Sequence, residues 1–154
     1  QREGLDYAET FSPVAKSATV RLVISISINN SWGLFQLDIN NVFLYGSLDE
    51  DVYMTLPQGY LTKGDNHVCK LKKSLYGLKQ APRKWNEKLC NSLTDFGFKH
   101  IINDYSLFVR VKNGSTVILL VYVDEIIITG AWLAEIESVK PFLKSLFLSK
   151  IWGN

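Results

Sequence analysis

The chain has 154 residues, 47% of them apolar, and a formal net charge of +2. That length suits one domain with a buried core, and that composition excludes a disordered chain. So small a net charge does not by itself imply a nucleic-acid partner, but its distribution is uneven: Lys63, Lys70, Lys72, Lys73, Lys79, Arg83, Lys84 and Lys88 crowd one stretch opposed only by Asp65 and Glu87.

In chain order, the region up to Lys16 reads as extended, with Pro13 fixing a turn. Residues 19–28 are ambiguous, because Ile24, Ile26 and Ile28 alternate with Ser25 and Ser27 as in a strand, while Val20, Ile24 and Ile28 fit a helical face. Residues 34–39 read as a strand ending at a carboxylate, residues 51–56 as a second strand before a Pro-Gln-Gly turn, and residues 69–71 as a short third. Pro82 suits the first turn of a helix whose apolar stripe is Trp85, Leu89, Leu93 and Phe96, closed by Gly97. Residues 106–111 and 116–123 are strands joined at Asn113-Gly114, a strong hairpin signal. A second reversal is expected at Asp124-Glu125, before a strand over 126–129. Residues 132–148 are helix-like, with Pro141 expected to kink or restart the helix. Strands and helices mix without strict alternation, which predicts an α+β fold with an antiparallel sheet.

Cys69 and Cys90 lie far apart with no ligand-spaced neighbours, which argues against zinc and a disulfide scaffold and fits a reducing compartment. The most apolar stretch, residues 117–128, is too short to span a bilayer and contains Asp124 and Glu125, so no membrane is expected. The chain opens without a signal peptide, in mid-pattern, and stops after an apolar segment. It reads as a piece of something longer.

The most informative feature is the placement of acids on apolar strands. Asp38 ends the run Leu34-Phe35-Gln36-Leu37, and Asp124 and Glu125 sit between Val121-Tyr122-Val123 and Ile126-Ile127-Ile128. An ionised carboxylate among core strands is costly unless it has a partner or a metal. Three brought together would repel one another unless divalent cations neutralised them, an arrangement suited to two-ion phosphoryl transfer. Each site alone also fits a plain role, Asp124-Glu125 as an acidic hairpin tip and Asp38 as a strand-end cap. Asp-Glu is nevertheless a poor tight-turn pair, since neither residue has glycine's ease at positive φ.

Four blocks resemble one family. Residues 7–21 (YAETFSPVAKSATVR), 36–46 (QLDINNVFLYG, followed by VYM at 52–54), 68–85 (VCKLKKSLYGLKQAPRKW) and 119–130 (LLVYVDEIIITG) resemble the reverse transcriptases of copia-type LTR retrotransposons, in family order and spacing. The resemblance implies a right-hand polymerase fold, with residues 1–154 forming one fingers-and-palm piece. About 1–35 and 47–75 would be fingers-like and about 36–46 and 76–154 palm-like, with the antiparallel palm sheet packed on helices and the thumb absent. It implies metal binding by Asp38, the backbone of Ile39, Asp124 and Glu125, and catalysis by Asp38, Asp124 and Glu125. The ions would be two Mg2+, with Mn2+ an alternative. Glu125 stands where the family has the second aspartate of its Tyr-Val-Asp-Asp turn, which predicts impaired polymerisation.

By the same resemblance, Phe43 lies where a bulky aromatic packs under the incoming sugar, although in Val42-Phe43-Leu44-Tyr45 it equally fits a core position. Lys16 and Arg21 become candidates for the triphosphate, and Tyr76, Gly77 and Gln80 for the nucleotide, with Gly77 and Pro82 also serving as turn punctuation. Lys72, Lys73, Lys79, Arg83 and Tyr122 would meet template and primer. Lys150 stands near the place of a late-palm general acid, in surroundings that depart from the family's Met-Lys-Asp-Leu-Gly. Leu56-Pro57-Gln58-Gly59 looks like a retroviral motif but falls too early in the chain. Implied partners are an RNA or DNA template with primer, deoxynucleoside triphosphates, and the rest of a Pol polyprotein (thumb, RNase H, integrase). The implied location is intracellular, in a cytoplasmic virus-like particle or the nucleus. Two other readings stand beside a polymerase core: a non-catalytic nucleic-acid-binding relic, and a misfolding-prone piece with no function of its own.

Overall fold

The ambiguity at residues 19–28 resolves as a helix. In the computed structural model, which describes residues 14–48, 50–60 and 67–148, α1 spans Ser17–Asn29. The residues it buries, Thr19, Val23 and Ser27, recur every four positions, the spacing of one helical face. The Ser27 hydroxyl donates to the Val23 carbonyl at 2.8 Å and pairs with the Thr129 hydroxyl at 2.9 Å. Tertiary polar contacts, rather than the isoleucine pattern, therefore decide its state.

Among the described residues, seven strands follow the helix in two sheets. β1 (Leu34–Asp38) leads through a short 3-10 turn at Val42–Tyr45 to β2 (Tyr53–Thr55) and β3 (Val68–Lys70). The helix α2 (Ala81–Asp95) precedes β4 (Lys99–Ile101), β5 (Asp104–Lys112), β6 (Ser115–Tyr122) and β7 (Glu125–Gly130), and α3 (Leu133–Leu148) comes last. The main sheet runs β1-β7-β6-β5-β4 and is antiparallel throughout, while β2 and β3 form a separate antiparallel pair. An isolated bridge between Ser47 and Lys73 ties the segments flanking that pair. The fold is thus α+β with an antiparallel sheet.

Alternation along β6 shows how the sheet is covered. Val117, Leu119 and Val121 join Trp85, Leu89 and Leu93 of α2 and Ile136, Val139 and Leu143 of α3 in the larger core. Ile118 and Leu120 face the other way, onto Val23 of α1. Trp85, Leu89 and Leu93 are fully buried, each contributing about 1.5–3 kcal/mol by leaving water.

The β5–β6 hairpin turns at Asn113-Gly114 as expected, with φ of +51° and +76°, the double positive φ of a type I′ turn. α3 runs through Pro141 as one helix. Pro141 is exposed while Ile136, Val139 and Leu143 are buried, so the carbonyl left without a donor faces solvent instead of the core. The short strands fall within a residue or two of their expected bounds, and β4, three residues at the sheet edge, was not expected.

Asp104 ties α1 to the start of β5. Its carboxylate accepts from the Thr19 hydroxyl, from the Ser106 hydroxyl at 2.5 Å and from the Ser106 N–H at 3.0 Å. Burial pushes its pKa up, but these donors and the nearby Lys16 charge outweigh burial and hold it below the usual carboxylate range. A depressed folded-state pKa contributes stability that is present above the unfolded value, about 3.9, and is lost as pH falls through the folded one. Asp104→Asn is therefore expected to cost about 2 kcal/mol at pH 7, with the gap in melting temperature closing below the usual carboxylate range.

Candidate functional site

β1 and β7 pair so that Asp38 stands directly opposite Glu125, the last partners in the register that begins at Leu34 and Thr129. One residue on, the Ile39 N–H donates to the Asp124 carbonyl at 2.8 Å. Asp38 and Asp124, far apart in sequence, thus meet at one corner of the main sheet, both exposed.

The reversal carrying Asp124 differs from expectation. Tyr122 pairs with Glu125, so the loop is Val123-Asp124 and Glu125 is the first residue of β7. That register keeps Val121 opposite Ile126 in the core, and a one-residue slip would turn the strand's apolar set outward. Val123 takes φ of +55° while Asp124 stays out of the positive region, a II′-like turn with valine where glycine is usual. A β-branched residue there is an outlier costing on the order of 1–3 kcal/mol. The Trp85 indole N–H donates to the Val123 carbonyl at 3.2 Å.

An aromatic pair stands beside this corner. Tyr76 follows Leu75 in a turn closed by the Leu78 N–H on the Leu75 carbonyl at 3.2 Å. Gly77 supplies the positive φ of +91° that the turn requires, with open space where a Cβ would be. Burial, then the charges of Asp124 and Asp38, push the Tyr76 hydroxyl above its ordinary pKa, so that hydroxyl lies within the field of both aspartates. The Phe43 ring meets the Tyr76 ring edge-on, with centroids 4.9 Å apart, and is half-buried against the larger core.

The other expected residues are more dispersed. Lys16 Nζ donates to the Asn103 carbonyl at 3.3 Å, and Arg21 is exposed on α1. Lys72, Lys73, Lys79 and Arg83 are exposed along the approach to α2 and its first turn, with Arg83 paired to Glu87 at 3.1 Å. Gln80 is half-buried just before α2, and Tyr122 is exposed beside the turn. Lys150, the extended region up to Pro13, and the Lys63 and Asp65 of the basic stretch lie outside the described residues. Sequence reasoning missed the Trp85 tie, since its stripe with Leu89 and Leu93 gave only a core role. It also missed Asp104, which no motif marks.

Among the described residues, no group of three or more His, Cys, Asp or Glu side chains is placed to hold a metal ion. The expected gathering of Asp38, Asp124 and Glu125 is therefore not formed as a three-carboxylate group: Asp38 and Glu125 are cross-strand partners, and Asp124 is tied to the same corner through its carbonyl and the Ile39 N–H. The donor set still suits a hard cation, because Mg2+ is commonly held by one or two carboxylates together with substrate phosphates. No helix among the described residues is long and apolar enough to cross a membrane.

Carboxylates at a strand end and an adjacent tight turn are groups that divalent-metal phosphoryl transfer can use. The chain belongs to the reverse transcriptase (RNA-dependent DNA polymerase) family, whose model matches residues 1–154; divalent-metal dependence is general in that family. Its kinship is with the Pol polyproteins of copia-type transposons. It is 55% identical over 131 residues to the retrovirus-related Pol polyprotein from transposon RE1 of Arabidopsis thaliana, covering 84% of this chain and 9% of that protein. It is 38% identical over 155 residues to that from transposon TNT 1-94 of Nicotiana tabacum, covering 99% of this chain and 12% of that protein. The transposon Ty1-ER2 Gag-Pol polyprotein of Saccharomyces cerevisiae is 28% identical over 155 residues, with 97% and 8% covered. The chain therefore spans about a tenth of the relatives it matches. No solved structure matches it.

Proposed function

We propose that this chain supplies the catalytic corner of an RNA-directed DNA polymerase, built as fingers and palm, with Glu125 slowing its chemistry. The observation that carries this reading is the meeting of Asp38 and Asp124 through the β1–β7 register and the Ile39–Asp124 hydrogen bond. Asp38, Asp124 and the carbonyl of Ile39 would hold Mg2+. When bound, the ion would neutralise triphosphate charge and favour ionisation of the primer 3′-hydroxyl. The primer oxygen then bonds to the α-phosphorus of a deoxynucleoside triphosphate as the bond to the leaving pyrophosphate breaks.

The chain's own residues order the substrates. Phe43, braced by Tyr76, sits under the incoming sugar and excludes a 2′-hydroxyl, while Gly77 leaves room for the nucleotide and Gln80 flanks it. Lys16 and Arg21 attract the triphosphate. The exposed Lys72, Lys73, Lys79 and Arg83, with Tyr122, follow the phosphate backbone of template and primer. The β2–β3 pair belongs to the fingers and the main sheet to the palm, and the thumb, RNase H and integrase would come from the rest of a Pol polyprotein.

The test places these 154 residues in the matching stretch of the transposon RE1 Pol polyprotein and measures Mg2+-dependent primer extension on an RNA template. Asp38→Asn and Asp124→Asn are each expected to abolish extension while leaving melting unchanged. Extension persisting at the parental rate in either variant would overturn the reading. Glu125 gives specific support to a second one, a non-catalytic binder of nucleic acid. Salt-dependent binding of primer–template with no extension under any divalent ion would favour it.

A further inference from the structure

We infer that Trp85 is a positioning residue whose indole N–H holds the strained Val123-Asp124 turn in the shape that presents the Asp124 carboxylate. This rests on the reading of Asp38 and Asp124 as the metal-binding pair. Both carbonyls of the two-residue loop are engaged: that of Val123 by Trp85 at 3.2 Å, and that of Asp124 by the Ile39 N–H at 2.8 Å. One hold comes from α2 and the other from the strand that carries Asp38. The turn is thus fixed from two elements that do not adjoin in sequence.

Valine at φ of +55° does not choose this conformation by itself, because its branched Cβ disfavours the left-handed region. Something outside the loop must keep it there. Trp85 is fully buried, and among the large apolar side chains of its stripe only tryptophan has a ring donor to offer. Leu89 and Leu93 fill the same core without one. The plain alternative is that the indole merely satisfies its own buried N–H at the nearest carbonyl. The two accounts differ in what should rescue its loss.

Trp85→Phe keeps an aromatic ring in the core and removes the donor. In the 154-residue chain it is expected to weaken Mn2+ binding, read by electron paramagnetic resonance, by roughly fivefold to tenfold. Hydrogen exchange of the Ile39 amide, read by NMR, is expected to quicken by a similar factor. Adding Val123→Gly should return both readouts to within about twofold of the parent, since glycine takes positive φ without outside help. Leu89→Ala should lower the melting temperature and leave Mn2+ affinity unchanged.

Parental affinity and exchange in Trp85→Phe would overturn the inference. So would a loss that Val123→Gly fails to rescue, since that loss would come from the core. If the parent chain itself binds no Mn2+, the metal reading of Asp38 and Asp124 fails. Exchange at Ile39, and its rescue by Val123→Gly, would still decide whether Trp85 holds the turn.

Discussion

Glu125→Asp, made in the chain carried within the transposon RE1 Pol polyprotein, is expected to raise Mg2+-dependent primer extension about 10²-fold. Glu125 opens β7 opposite Asp38 on one side and Tyr122 on the other. Like charges directly opposite on paired strands repel, and the longer side chain has the freedom to swing away from Asp38. Consistent with this, Asp38, Asp124 and Glu125 form no three-carboxylate group among the described residues. Aspartate shortens the reach by about 1.5 Å, against a cation that demands near-ideal octahedral geometry at about 2.0–2.1 Å. The charge is unchanged and the site is exposed, so stability should move by no more than about 0.5 kcal/mol. Equal melting temperatures with unequal extension rates would place the effect in the chemistry. Equal rates would show that the extra methylene is harmless.

What was legible in the sequence was what local chemistry decides. Asn113-Gly114 turned where it was read to turn because few residues tolerate two successive positive φ values. The Trp85, Leu89 and Leu93 stripe formed a helix because its spacing matches one buried face. The acids were legible as anomalies, carboxylates set in apolar strands. Their meeting was not, because it depends on β1 pairing with β7, almost ninety residues away. The family resemblance supplied that step.

Ambiguity and error fell where tertiary contact overrides local preference. Ser25 and Ser27 left residues 19–28 open between strand and helix, and the contacts that go with the helix, Ser27 against Thr129 and Thr19 against Asp104, are not visible in the local pattern. The second reversal was misplaced by one residue because valine is the last residue expected at positive φ. It sits there because the register of Val121 with Ile126 requires it, with the Trp85 N–H on its carbonyl. At the candidate site the departure from local rules is Val123 itself, with a positive φ that local preference opposes.

The largest loss of stability is expected from Arg110, which no motif marks. Arg110→Ala should cost about 3–5 kcal/mol, lowering the melting temperature by on the order of 10 °C. Its guanidinium donates to Glu135 at 2.7 Å and to the Ser138 hydroxyl at 3.3 Å, fastening β5 to the first turns of α3. It also stacks against Phe96 and Phe98, 4.8 and 5.2 Å from their centroids, at the end of α2. The pair is well buried, with side-chain exposures of 7% and 18%, so removing the arginine strands the Glu135 carboxylate away from water. Lysine keeps the charge and loses both the fork and the planar stack, so Arg110→Lys should recover less than half of the loss. Replacing Arg110 and Glu135 together by Met and Leu removes both charges while keeping bulk, and should be far milder than Arg110→Ala alone. Thermal melts of the three variants test the argument, and a double variant no more stable than Arg110→Ala would locate the cost in lost packing against Phe96 and Phe98 instead of in a stranded charge.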